Sequence, residues 1–341
     1  MNAVNPSQWV EPYMELALSG ETNQAVRFIL DLLDRGTSES SLITDVLAPA
    51  QRQVGDLWQR NLLSVADEHV ATGVVESTLY ALSFTAPAQR EAGSVLVACA
   101  EGDWHSIASH MVAEQLRAEG VTVVYLGAST PAAAVAQFVD RHRPDALVVS
   151  CSLALYYGGL RTLVDAAHLS GTPVLAGGRA LLRTPERAHS IGADGHADNA
   201  VDAARVLATW RDFPPATRVE PIGLPALVVE LEARAEEFAD LAYAALVPRF
   251  PPMVSYSLRQ LNRTKEDLVY MVRFLASALL VDEQAVFIEF LDWLAGLLEA
   301  RGVANAAVVA GLEALQPVLQ QCDRDAGRLC NIGLAHVSTR A

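Results

Sequence analysis

The sequence predicts a multidomain α and α/β protein: a helical bundle, a Rossmann-like parallel α/β domain and a C-terminal all-α domain. Three observations carry this. Apolar residues recur at helical spacing from residue 8 to 89. Short apolar runs alternate with helical patterns from 94 to 210. The stretch 211–223, with Pro214, Pro215, Pro221 and Gly223, then leads into a region that is helical to about Leu329. The expected domains are 1–90, 91–212 and 224–341.

In the bundle, Gly20 and Gly36 read as helix stops and Ser19, Thr37 and Ser38 as cap candidates. Trp9, Tyr13, Leu16 and Ala17 share one stripe, as do Val26, Ile29, Leu30 and Leu33. A third helix is expected over 41–59 and a fourth over 64–84, with Ala86-Pro87-Ala88 closing the bundle. Strands are expected at 94–100, 121–126, 146–150 and 172–176, with a weak one near Ala193-Asp194-Gly195. The helices between them are 106–119, 131–141, 158–170 and 180–190, then 198–210. Such alternation specifies a doubly wound parallel sheet. No G-x-G-x-x-G follows the first strand, so a dinucleotide site is disfavoured. The last domain reads as about five helices: 225–246, 253–262, 264–280, 282–301 and 303–326.

The net charge of −15 and a single lysine, Lys265, repel phosphate backbones. Neither a basic cluster nor a helix-turn-helix precedes the bundle, so direct nucleic-acid binding is not expected. No apolar run approaches the ~20 residues of a membrane helix, and the start lacks the pattern of a signal peptide. Cys99, Cys151, Cys322 and Cys330 show no CxxC spacing, which fits a reduced, cytoplasmic compartment.

The stretch with the most chemistry is Glu101-Gly102-Asp103-Trp104-His105-Ser106-Ile107-Ala108, directly after the first strand. This puts His105 at the carboxyl end of a strand, the rim where open α/β sheets bind ligands. Asp103 is two residues away, in reach of the imidazole, as a carboxylate often is beside a metal-bound histidine. Taken alone, a solvated Asp-x-His pair is the plain alternative.

Further residues give this stretch a context. Ser150-x-Ser152 follows a middle strand, Gly177-Gly178 follows a later one, and Leu126-Gly127 precedes Pro131. Together with Asp103-Trp104-His105 this resembles the cobalamin-binding family. The resemblance implies a base-off corrinoid with His105 as the metal ligand, Asp103 behind it, and Ser150, Ser152, Gly177 and Gly178 around the cofactor. One departure is Ala108, where the family has glycine beside the nucleotide tail. In the bundle, Trp58, nine residues, then Glu68-His69 resembles the motif of light-sensing adenosylcobalamin regulators. There the bundle caps the corrin and Trp packs on the adenosyl group. Gln59 stands where some of those regulators have a second cobalt-binding histidine; His69 is the bundle's only histidine. Without the downstream pattern, Trp58 reads as a core aromatic and Glu68-His69 as a solvated pair.

The order of domains resembles that of the photocobilins, which add a biliverdin-binding domain. That resemblance implies biliverdin in 224–341, for which a globin-like arrangement is one option. No histidine lies between His196 and His336, which disfavours haem. Arg249, Arg259, Arg263, Lys265 and Arg273, with Phe250, Tyr256, Tyr270 and Phe274, offer cations for two propionates and aromatics for the rings. A solvated arginine face is the alternative. Cys322 and Cys330 are candidates for a thioether or plain buried thiols. The functional expectation is a non-enzymatic photoreceptor using adenosylcobalamin and biliverdin, with light-dependent self-association. A corrinoid methyl carrier of a methyltransferase system and a non-photic cobalamin sensor stand as alternatives.

Overall fold

The computed structural model describes residues 6–84, 94–182 and 184–339. The proposed end of the bundle at Ala86-Pro87-Ala88 lies outside them. By its contacts the chain forms two compact units, 1–153 with 159–222, and 154–158 with 223–341. The bundle and the sheet thus fall within one unit.

The bundle holds α1 (Val10–Leu18), α2 (Thr22–Asp34), α3 (Glu39–Leu42), α4 (Ala48–Gln59) and α5 (Val65–Ser83). The helix expected over 41–59 starts two residues earlier and passes through a π-helical turn, Ile43–Leu47, between α3 and α4. Ser38 caps α3 by accepting from the Ser41 N–H. Ser64 and Asp67 form a capping box on α5, which fixes where Glu68 and His69 emerge. Tyr13, Ile29, Leu42, Leu47, Leu79 and Leu82 form a closed core. The fully buried Tyr13 hydroxyl donates to Thr78 Oγ1 at 2.9 Å, so this hydroxyl is not stranded.

The sheet contains β1 (Ser94–Cys99), β2 (Thr122–Gly127), β3 (Ala146–Ser150), β4 (Val174–Gly177) and β5 (Gly195–Ala197). All pairings are parallel and the order is β2-β1-β3-β4-β5. Helices α6 (Ile107–Ala118), α7 (Ala132–His142), α8 (Tyr157–His168), α9 (Pro185–Ile191) and α10 (Ala200–Asp212) connect and follow the strands. β1 and β3 are buried almost throughout, as strands covered on both faces must be. The expected helix 180–190 shrinks to α9, because a 3-10 turn at Arg179–Leu181 uses up its first residues.

The second unit is α-helical and differs from expectation in three places. The segment 225–246 breaks into α11 (Ala226–Ala233) and α12 (Ala235–Leu246). Arg234 at the break bonds Glu230 and Glu237 and stacks on the Phe238 ring at 4.5 Å. The two helices expected over 253–280 are one, α13 (Leu258–Leu280), started by a Ser257–Gln260 capping box after a 3-10 turn. After α14 (Gln284–Glu299), the last segment divides into α15 (Ala306–Cys322) and α16 (Arg324–Ser338). The division falls at Asp323, whose carboxylate accepts from the Asp325 and Ala326 N–H groups. Among the described residues six α-helices therefore stand where about five were expected. No helix of the described residues is long and apolar enough to cross a membrane.

Candidate functional site

β1, β3 and β4 lie side by side, so their carboxyl ends bring the three motif loops together. Cys99 is in register with Ser150, and Ser150 with Gly177. The order reverses between β1 and β3, the switch point at which such sheets bind ligands.

Asp103 is fully buried at this point. Its Oδ1 accepts from the His105 backbone N–H at 3.0 Å and lies 2.8 Å from His105 Nδ1. Its Oδ2 accepts from the Ser152 N–H at 2.7 Å. One carboxylate thereby ties the loop after β1 to the loop after β3. The bond to Nδ1 selects the tautomer with its proton there, and Nε2 is the nitrogen a metal would take. The hydrogen bond to Asp103 pushes the His105 pKa up against the opposing effect of burial, and the charges of Asp103 and Glu68 add to the rise. The His105 side chain is 59% exposed and the neighbouring Trp104 is 74% exposed.

The glycines have a steric reason. A Cβ on Gly178, whose φ is +100°, would lie 2.5 Å from the Cys151 carbonyl oxygen. A Cβ on Gly177 would lie 2.6 Å from that of Ala197. Ser150 is buried, and its carbonyl accepts from the Ala100 N–H at 2.9 Å. Between α6 and the sheet, Ser109 Oγ donates to the Ser106 carbonyl at 2.7 Å and lies 3.1 Å from both Tyr125 Oη and Cys99 Sγ. Burial pushes the Cys99 thiol up to about 11 and the Tyr125 phenol up to about 12. Ala108 is exposed on the first turn of α6, so its methyl stays outside this buried cluster.

In the bundle, Trp58 is half-buried near the end of α4, and Glu68 and His69 sit in the first turn of α5. Glu68 Oε2 lies 2.7 Å from His69 Nδ1, and Glu68 Oε1 accepts from Thr72 Oγ1 at 2.8 Å. Thr72 Oγ1 in turn accepts from Gln51 Nε2 at 2.6 Å. Sequence reasoning missed Thr72 and Gln51. The available signals were the four-residue spacing of Thr72 from Glu68 and the seven-residue spacing of Gln51 from Trp58. It also missed Gly159, at the start of α8. A Cβ there would fall 1.9 Å from the Glu101 carbonyl oxygen, at the root of the Asp103 loop. Glu101 Oε2 accepts from the Ala132 N–H at 3.1 Å, which holds the loop from the other side.

In the second unit, Arg259, Arg263, Tyr270 and Arg273 occupy one stripe of α13, at helical spacings of four, seven and three. Arg249 follows α12, and Tyr256 precedes the capping box. Arg263 bonds Glu266, and Arg273 Nε donates to Glu232 Oε2 at 2.8 Å. Lys265 leaves the cluster: it bonds Asp240 at 2.6 Å and lies over the Tyr243 ring. Phe274 leaves it too, buried and stacked on Phe290 with centroids 4.0 Å apart. Cys330 is buried, which pushes its thiol up to about 12 and makes it a poor nucleophile.

Among the described residues, no group of three His, Cys, Asp or Glu comes together to hold a bare ion. A metal on His105 would therefore have to bring most of its ligands with it. A corrinoid does so, and one buffered imidazole on a glycine-cleared rim is a donor set that fits it. The B12 binding domain family matches residues 93–205, and a second B12 binding domain family matches residues 9–83. The chain thus carries B12-binding domains and is a cobalamin-binding protein. It is 34% identical over 139 residues to the HTH-type transcriptional repressor CarH of Myxococcus xanthus, which covers 40% of this chain and 46% of that protein. It is 24% identical over 200 residues to a methanol–corrinoid protein of Methanosarcina barkeri, covering 58% and 77%. The chain spans less than half the length of the repressor. Among solved structures, the monomethylamine corrinoid protein of Methanosarcina barkeri superposes with a TM-score of 0.51 at 21% identity, over 58% of this chain and 96% of that one. This last likeness is one of fold.

Proposed function

We propose that this protein is a light sensor rather than an enzyme. In this reading it holds adenosylcobalamin base-off, with His105 beneath cobalt and the bundle over the upper face, and takes biliverdin in its C-terminal unit. The observation that carries the reading is that the bundle and the sheet form one compact unit through α6, whose Met111 enters the bundle core while Ala113 and Leu116 enter the sheet core. The bundle motif and the Asp103-Trp104-His105 loop therefore belong to one unit. The cofactor would supply a cobalt–carbon bond that light breaks. The remaining work falls to the chain. Asp103 orients the imidazole, the Ser109–Tyr125 cluster lines the slot for the nucleotide tail, and Trp58 offers a flat apolar face to the adenosyl group. Glu68 is steadied by Thr72 and Gln51. What lies against Trp58 then biases the packing of the bundle and the association of chains through contacts that differ between two states.

The test is an absorption spectrum of the full chain with adenosylcobalamin before and after green light, with size exclusion on both forms. A spectral change with a shift in elution is expected. Trp58→Ala should weaken adenosylcobalamin by roughly tenfold, the ~1–2 kcal/mol of a lost aromatic contact, and leave hydroxocobalamin nearly unaffected. Equal loss for both forms would mean a packing defect in the bundle instead. For the second unit, biliverdin should give a red-shifted, sharpened long-wavelength band. Arg263 and Arg273 would have to leave Glu266 and Glu232 to meet a propionate. Arg259→Ala is therefore expected to weaken the bilin most. No bilin band in the full chain would return this unit to a helical interaction module.

A second reading is a corrinoid methyl carrier. It is favoured by the match to the methanol–corrinoid protein over 77% of its length, against 46% for the repressor. A complex indifferent to light would favour this carrier, or a non-photic sensor.

A further inference from the structure

The seam between the bundle and α6 contains more buried charge than packing requires. Met111 of α6 lies in the bundle core and Ile107 packs against it. Gln115 Nε2 donates to Thr44 Oγ1 of the π-helical turn. Behind this contact Glu39 of α3 is buried, and Glu114 of α6 is fully buried. Glu114 Oε1 is held by Arg117 and lies 3.2 Å from His110 Nε2. Glu39 Oε1 and Glu114 Oε2 have no hydrogen-bond partner among the described residues. Two ionised carboxylates would leave both oxygens as buried acceptors without a donor, at a cost of about 1–3 kcal/mol or more each. A single proton removes the difficulty, because a protonated carboxyl becomes a donor.

We propose that Glu39 and Glu114 share a proton that seals the bundle against α6, and that the seal weakens as the pH rises. Burial, and after it the charge of Glu114, pushes the Glu39 carboxyl up to about 7, while Arg117 pulls it down. The folded-state value thus lies above the ordinary carboxyl value. The stability it contributes is full below that ordinary value and is lost as the pH rises through about 7. The other charged and titratable groups around the pair are accounted for. On α6, His110 faces Glu114 and is flanked by the Tyr80 ring of α5 and the Tyr125 ring of β2. Arg117 also donates to the Val123 carbonyl. Asp45 in the π-helical turn accepts from Ser41 at 2.6 Å. α2, packed on α3, carries Arg27, Asp31 and Asp34, with Arg35 just after it, all exposed. α10, packed on α6, spends Asp202 on Arg205 at 3.2 Å.

The proposal does not depend on the cofactor, so it is tested on the full chain without one. Amide hydrogen exchange, corrected for the intrinsic rate, is read over residues 39–47 and 107–118. Protection factors should fall by up to about tenfold per pH unit between about pH 5 and 7, the slope of one proton, and level off above that. Glu39→Gln keeps a donor at every pH and should abolish the step. Glu114→Gln removes the repelling charge and supplies an amide donor, so the step should move to lower pH; this keeps the test open if the first variant folds poorly. Protection that is equal at about pH 5 and 7 in the native chain, or a step unmoved in both variants, overturns the proposal.

Discussion

Replacing His105 with alanine should remove the His-on cobalamin spectrum and lower affinity by more than roughly 100-fold. Loss of a partner that merely orients a metal-bound histidine costs about 10–100-fold, and here the ligand itself is lost. Asp103→Asn should fall within that lower range. The two variants separate the roles of ligand and orienter, because Asp103 also holds the His105 and Ser152 N–H groups. An asparagine in its place presents one acceptor oxygen instead of two, so one of those groups is left unpaired at about 1–3 kcal/mol. Titration with hydroxocobalamin, followed by absorption, reads both. If His105→Ala bound with unchanged affinity and spectrum, the ligand assignment would be wrong.

Gly159→Ala should be the most damaging of the small substitutions. Its Cβ would sit 1.9 Å from the Glu101 carbonyl oxygen, where no flexible side chain can yield. Either α8 or the loop carrying Asp103 and His105 must shift. The expected cost is about 3 kcal/mol in urea denaturation, the upper end for overpacking a close contact. Cobalamin binding should weaken as well. Gly158→Ala is the control, since a Cβ there meets only Leu224 at an ordinary 4.0 Å. Equal midpoints for the two variants would show that the loop absorbs the methyl group.

Much of the sheet was legible because its signals are local. β3 lies where its apolar run ends, and each strand is within two residues of expectation at all but the weakest edge. Asp103 and His105 were found because their contact spans two residues of chain. Gly159 was not, because its reason for being glycine is a carbonyl fifty-eight residues away in sequence, 159 less 101. Thr72 and Gln51 were hidden similarly: a hydroxyl on a helix face says nothing about which neighbouring helix will reach it. In the second unit, the Ser257–Gln260 box and the Asp323 cap were local signals that were passed over. The break at Arg234 was not readable from breakers, because no glycine or proline marks it.

α6 belongs to two cores at once. Met111 enters the bundle, while Ala113 and Leu116 enter the sheet. Melting the bundle alone would strand Met111 in water, and melting the sheet alone would take away the helix on which the bundle closes. Bundle and sheet therefore unfold in a single cooperative transition, and heat capacity should record them as one peak whether or not a cofactor is bound.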